Sequence, residues 1–300
     1  MNNLDYKKFL EPSFISKLSS LEIKAKKVVE GFMVGLHKSP YHGFSVEFSQ
    51  HRPYMQGDSI KNVDWKLFGK TEKFYIKQFE EETNLLSYVL LDVSKSMDFK
   101  YTADVTKFEY ANTLAASLIY LLNKQRDAAG LVLYSDTIET YLEPKANKTY
   151  LKVLFNALVN QKLSGKTNTG KCLNNVAEKI KKRGMIIIIS DFFDNLESVI
   201  TALKHFHYKN NDVIVFHLLD RIESTFGFGR DAIFIDKETG EELTTQSSQI
   251  QKSYINLFDN FTNTLKSECL KYGMDYNLVF TDMTYDKALQ SFFIKRSKLH

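Results

Sequence analysis

Cysteine is nearly absent: Cys172 and Cys269 are the only two in 300 residues. That excludes a disulfide framework and fits a reducing compartment. Long apolar runs are missing as well. The most apolar stretches, "TLAASLIYLL" (Thr113–Leu122) and Met185–Ile189, fall well short of the roughly 20 residues of a membrane span. The opening "MNNLDYKKFLEPSF" has no apolar run of the signal-peptide type, so a cytoplasmic location is expected. A large excess of one sign of charge is missing too, and a net charge of +4 does not imply nucleic acid as a partner. Neither an internal repeat nor a low-complexity tract is evident. What remains is an apolar fraction of 43% and a charged fraction of 25%, an ordinary globular balance with ample material for a core.

From about Leu91 onward, short apolar runs alternate with longer amphipathic ones. "LSYVLLD" (Leu86–Asp92) has a buried-strand pattern. Thr106–Gln125 is helical, with Phe108, Ala111, Leu114, Ala115, Leu118, Leu121 and Leu122 on one stripe. "AAGLVLYS" reads as a strand and Thr149–Asn160 as a helix. Lys171–Arg183 reads as a helix closed by Gly184, followed by the strand "MIIIIS". Glu197–Tyr208 is helical, "DVIVFHLLD" a strand, Ser253–Tyr272 a helix, "DYNLVFT" a strand and Tyr285–Lys295 a last helix. Strands alternating with helices predict an α/β domain over 85–300. Its fold is doubly wound, with a mainly parallel sheet and helices on both faces. "DAIFIDKETGEELTT" breaks the rhythm and predicts an inserted hairpin around Glu238-Thr239-Gly240.

Residues 1–84 follow a different regime. An amphipathic start (Phe14–Leu36) leads into a stretch with two of the four prolines, several turn signals and the only tryptophan. This pattern predicts a small β-rich N-terminal module. Within "GDSIKNVDW", Gly57 can make a turn, Asp58 can cap a short helix and Lys61 can pair with Asp64. Trp65 is expected to plug the junction between the two modules.

Ligands of an open parallel sheet sit beyond the carboxyl ends of its strands, and three polar clusters fall there. Asp92-Val93-Ser94-Lys95-Ser96 follows one strand, Ser190-Asp191 follows another, and Lys166-Thr167-Asn168-Thr169 precedes a helix. Each piece has a plain alternative, since the serines and Asp191 can cap helices and Thr167 can serve a turn. Together they offer two carboxylates and at least three hydroxyls, with neither thiolate nor imidazole. Such hard oxygen donors suit Mg²⁺ or Mn²⁺ rather than zinc. His217 lies in an apolar strand and reads as a satisfied core residue.

"SGKTNTGKCL" (Ser164–Leu173) places Gly165, Gly170 and Lys171 at P-loop spacing, with Cys172 where the final hydroxyl belongs. A P-loop follows a buried strand, whereas "VNQKLSG" is polar, and a thiol is a poor Mg²⁺ ligand. A nucleotide site is therefore not expected.

"LLDVSKSM", "GKTNTG" and "IIISDF" resemble the three motifs of the metal-ion-dependent adhesion site in von Willebrand factor type A domains. The resemblance implies a first loop of Asp92, Ser94 and Ser96, a second of Thr167 and a third of Asp191. It also implies that the hydroxyls touch the metal directly while one or both aspartates act through water. "FSQHRPYMQGDSIKNVDWKLFGK" resembles the signature of a bacterial domain-of-unknown-function family, number fifty-eight. Arg52, Tyr54, Gly57, Asp58, Asp64 and Trp65 match it. Pro53, Lys61, Phe68-Gly69 and Lys70 depart from it, and both lysines replace arginines that could grip an anion with two prongs. Members of that family resemble partners of MoxR-type AAA+ ATPases.

Three functional classes follow. The favoured one is a non-enzymatic, Mg²⁺- or Mn²⁺-dependent module that engages an acidic residue of a protein partner, with a MoxR-type ATPase as the implied associate. A phosphoester hydrolase using Asp92 is the second. It is disfavoured because Ser94 stands where a D-x-D phosphatase carries its general acid. The third is a structural subunit with a vestigial metal motif. No nucleophile with an orienting histidine can be assembled from the spacing, so an enzyme is not expected.

Overall fold

Runs such as "LSYVLLD", "AAGLVLY" and "MIIIIS" are apolar at consecutive positions, broken only by Ser87 and by the terminal Asp92 and Ser190, because both faces of the sheet they form are covered. In the structure, a computed structural model, the described residues are 10–37, 51–53, 65–77, 85–147, 149–229, 231–235 and 242–297. In chain order the elements begin with α1 (Pro12–Ile15), α2 (Leu21–His37), β1 (His51–Pro53), α3 (Trp65–Thr71) and β2 (Tyr75–Lys77). Next come β3 (Leu86–Asp92), a 3₁₀ turn (Lys95–Asp98), α4 (Lys107–Lys124), β4 (Ala128–Tyr134), β5 (Ile138–Lys145), α5 (Tyr150–Asn160) and α6 (Thr169–Lys179). β6 (Met185–Ser190), α7 (Leu196–Tyr208), β7 (Asp212–Leu219) and α8 (Arg221–Thr225) follow. The chain ends with β8 (Asp231–Ile235), β9 (Glu242–Gln246), α9 (Ser247–Lys271), β10 (Asp275–Phe280) and α10 (Tyr285–Ser297).

The main sheet has six strands in the order β5-β4-β3-β6-β7-β10. All its pairings are parallel except β4 with the edge strand β5. This is the doubly wound, mainly parallel sheet with helices on both faces that the alternation of strands and helices predicts. Alternate residues of each strand feed opposite cores. Val89, Leu91, Ile187 and Ile189 face α4, α5 and α10, while Leu90, Ile186 and Ile188 face α6, α7 and α9. β8 and β9 form the expected antiparallel hairpin ahead of α9; its turn lies outside the described residues. No helix among the described residues is long and apolar enough to cross a membrane.

Four expectations are corrected. The first concerns an N-terminal module of its own. Ala25, Val28, Val29 and Phe32, at i, i+3, i+4 and i+7 of α2, are buried in the same core as α4 and α10. Phe32 meets Phe293 of α10 at 4.9 Å, and the Tyr285 amide donates to the Leu10 carbonyl at 3.2 Å. The amphipathic start is thus part of the α/β core. Of the stretch expected to be β-rich, the structure describes α3 and the short antiparallel β1–β2 pair; residues 38–50, 54–64 and 78–84 lie outside the described residues.

The second correction is Trp65. It does not plug a junction: its side chain is 57% exposed, edge-on to Phe68 and Phe74. Arg52 stands in β1, paired in register with Ile76. Tyr54, Gly57, Asp58 and Asp64 lie outside the described residues.

The third is the helix before β6. It ends at Lys179 with Ile180 extended, so Gly184 leads into the strand and does not close the helix. The fourth is β5, which the rhythm did not announce. Its pattern is broken by charges and by Pro144, a residue sheets tolerate at their edges. Gly130 of β4 makes the pairing possible, since a Cβ there would lie 2.7 Å from the Leu142 carbonyl oxygen and 2.8 Å from the Pro144 nitrogen.

Gly130→Ala is accordingly expected to lower stability by about 1–3 kcal/mol through overpacking, read as a lower urea midpoint at unchanged slope. An unchanged midpoint would mean that β5 does not run against this glycine. Trp65, as the sole indole, should emit at long wavelength and be readily quenched by acrylamide. Trp65→Ala should cost less than about 1 kcal/mol; a blue-shifted, unquenched emission would restore the plug.

Candidate cation site at the switch point of the sheet

β3 and β6 are neighbours, but the chain leaves them toward opposite sides of the sheet, so a crevice opens beyond their carboxyl ends. Asp92 is the last residue of β3 and Asp191 the first after β6, and both are fully buried. Asp92 Oδ1 accepts the Ser94 amide at 2.9 Å. Its Oδ2 accepts the Ser190 hydroxyl at 2.7 Å and the Thr169 hydroxyl at 3.4 Å. Ser94 Oγ and Ser96 Oγ are 3.0 Å apart, and Thr167 Oγ1 reaches Ser96 Oγ at 3.5 Å. The Ser96 hydroxyl also supports Asp191. The three separate loops therefore bring Asp92, Ser94, Ser96, Thr167 and Asp191 to one place.

Backbone contacts hold these loops. The Ser164 amide donates to the Val93 carbonyl at 3.1 Å, and the Asn168 amide to the Ser135 carbonyl at 3.3 Å. At the P-loop-like string, the Gly170 amide donates to Asp194 Oδ2 at 3.1 Å. A Cβ on Gly170 would come within 2.1 Å of Ser198 Oγ. The first turn of α6 is thus closed against α7 and answered by a carboxylate, which excludes a phosphate cradle there.

The two aspartates have opposite electrostatics. Burial, then the nearby charge of Asp191, pushes the Asp92 carboxyl up to about 6, with the Ser190 and Ser94 hydrogen bonds opposing. Burial acts on Asp191 in the same sense, but the Lys107 ammonium overrides it and holds Asp191 below the usual carboxylate range. Lys107 Nζ lies 2.7 Å from Asp191 Oδ2 and 2.7 Å from Glu223 Oε1, with its side chain 1% exposed. It sits under the rings of Phe99 and Phe193, at 5.6 and 5.1 Å from their centroids. Burial raises Glu223. Glu223 also accepts the Asp220 amide at 2.7 Å within a capping box of α8.

Lys107 and Glu223 were missed by sequence reasoning. "TKFE" reads as a capping box of Thr106 and Glu109, and "DRIE" as another of Asp220 and Glu223; both boxes form. One signal was available. Lys107 opens α4 at its positive end, where the helix dipole disfavours a cation. His217 is only half as expected. Its Nδ1 pairs with the Tyr276 hydroxyl at 2.6 Å, while its Nε2 is buried without a hydrogen bond, and burial pushes the imidazole down to about 4.

Among the described residues no group of three or more His, Cys, Asp and Glu side chains could cage a metal. An ion held here would rest on hydroxyls and two carboxylates. That oxygen-only set fits Mg²⁺ or Mn²⁺.

Residues 50–260 match the family described as "Protein of unknown function DUF58". The chain belongs to that family. It is 23% identical over 235 residues to "Uncharacterized protein Rv1480" of Mycobacterium tuberculosis, a span of 77% of this chain and 73% of that protein. The same figures hold for "Uncharacterized protein Mb1516" of Mycobacterium bovis. Among solved structures, a conserved hypothetical protein BatB from Bacteroides thetaiotaomicron is 17% identical with a TM-score of 0.49, over 71% of this chain and 98% of that one. The SpRpn10 VWA domain is 14% identical with a TM-score of 0.41, over 68% and 92%. For this family member the aspartate pair carries a testable pH signature.

The folded Asp92 carboxyl titrates near 6, above its ordinary 3.8. The stability this lends is full below the unfolded value and is lost as pH rises through the folded one. In EDTA, Asp92→Asn should therefore gain on the wild type by about 1–3 kcal/mol between about pH 4 and about pH 7. Urea midpoints measured across that range check it, and a pH-independent difference would refute it.

Proposed function

We propose that this chain is a non-enzymatic protein-binding module whose crevice holds a divalent cation, Mg²⁺ or Mn²⁺, as a metal-ion-dependent adhesion site does. The observation that supports the reading best is the meeting of Asp92, Ser94, Ser96 and Thr167 beside Asp191 at the switch point. Asp92, Ser94, Ser96, Thr167 and Asp191 would hold the ion, and the ion would supply a Lewis-acidic position for a ligand oxygen. Three of these five donors are neutral, so a bound ion keeps enough positive charge to attract an outside carboxylate in a partly dry crevice. An aspartate or glutamate of a protein partner is the proposed ligand. A MoxR-type AAA+ ATPase is the proposed associate, a reading carried by family resemblance.

The hydrolase alternative gains no support from the site. Both Asp92 oxygens accept hydrogen bonds from Ser94 and Ser190, and Asp191 is engaged by Lys107. Asp191, the carboxyl beside Asp92, is held in its ionised form by Lys107 and so is a poor proton donor to a leaving group.

Titration calorimetry with Mg²⁺ or Mn²⁺ should find one site, abolished in Asp92→Ala and weakened in Thr167→Ala. Association with a co-purifying ATPase should disappear in EDTA and in Ser96→Ala. Equal heats for wild type and Asp92→Ala would sink the cation reading. Metal-dependent phosphoester turnover that depends on Asp92 would replace it with the hydrolase.

A further inference from the structure

The strongest unassigned feature is the buried ammonium of Lys107, placed against one of the proposed ligands. Local physics does not explain a lysine at this position. It opens α4 at the end where the helix dipole repels a cation, and burial of its charge is costly. What retains it is tertiary: Asp191 Oδ2 and Glu223 Oε1, each at 2.7 Å, under the rings of Phe99 and Phe193. The result is a fixed cation bonded to Asp191, itself supported by the Ser96 hydroxyl.

We propose that Lys107 is a built-in competitor for the divalent cation: it holds Asp191 as its own partner and so sets how tightly the crevice takes an ion. The inference rests on the reading of the crevice as a cation site. A carboxylate oxygen already compensated by an ammonium at 2.7 Å attracts a second cation less, and the ion must share it or displace it. Among Asp92, Asp191, Glu223 and Lys107, three ionised carboxylates and one ammonium leave two negative charges, the complement of a divalent ion. Lys107 thus acts as a positioning residue. It tempers the affinity and biases Asp191 away from direct ligation.

The test uses the full chain and Lys107→Met, which keeps an unbranched apolar stem and removes the charge. In EDTA the variant should melt lower than wild type, because Asp191 and Glu223 lose their shared partner. In Mg²⁺ it should recover by more degrees than wild type gains. Mn²⁺ titration should give affinity tighter by on the order of tenfold. Should Lys107→Met fail to fold, the Lys107→Met/Glu223→Gln double variant removes the surplus carboxylate, and the same comparison is made against Glu223→Gln. Ion binding by wild type, with the charge-removed protein binding no tighter and recovering no further, overturns the inference and leaves the proposed function standing; Lys107 is then only a structural counter-ion. Ion binding by the variant but not by wild type upholds the inference and overturns the proposed function for the native chain. Absence of binding in both overturns the two together.

Discussion

Burying carboxylates at the dry end of a parallel sheet is the constraint on which the site depends. Asp92 and Asp191 end adjacent strands and are shut off from water, where an ionised carboxylate is tolerated only if hydrogen bonds or a counter-charge answer it. Asp92 is answered by the Ser94 amide and the Ser190 and Thr169 hydroxyls, and Asp191 by Lys107. The Ser94 amide comes from the loop after β3, the Ser190 hydroxyl from the last residue of β6, and Thr169 and Lys107 from the first turns of α6 and α4.

That requirement reaches into the architecture. β3 and β6 must be in register for their ends to coincide, and Leu91 opposite Ile189 achieves this. α6 must begin close enough to α7 for Thr169 to be buried beside Asp92, and the bare α-carbon of Gly170 permits that approach. The Asp220 carboxylate accepts the Tyr101 and Thr102 amides, so the segment after the first serine loop is tied to the end of β7. Glu223, one turn further, completes the cage around Lys107. The proposed cation site and its proposed competitor rest on the same charge balance, the two buried carboxylates Asp92 and Asp191 and the Lys107 ammonium paired with Asp191.

Not all of the structure serves this edge. The pairing of Nδ1 with Tyr276, with Nε2 left unpartnered, makes His217 a core imidazole kept neutral by burial, adjacent in register to Ser190. The exposed Trp65, edge-on to Phe68 and Phe74, makes α3 a small aromatic cluster.

The amino-acid sequence by itself determined the alternation of strands and helices, because strands covered on both faces must be apolar throughout and helices covered on one face must be striped. It also determined the chemistry of the three loops, since Asp92-Val93-Ser94-Lys95-Ser96, Thr167 and Asp191 are local strings whose position after a strand or before a helix is readable. Tertiary structure alone decided what meets over long separations. Ala25, Val28, Val29 and Phe32 form a stripe that any apolar surface could cover, and only the fold assigned it to α4 and α10. β5 is specified by the close approach of Pro144 to Gly130 rather than by its own alternation. Lys107, Asp191 and Glu223 are separated by 84 and 116 residues along the chain from the lysine. A single buried charge carries no periodicity, so nothing short of the assembled sheet could say which carboxylates it would answer.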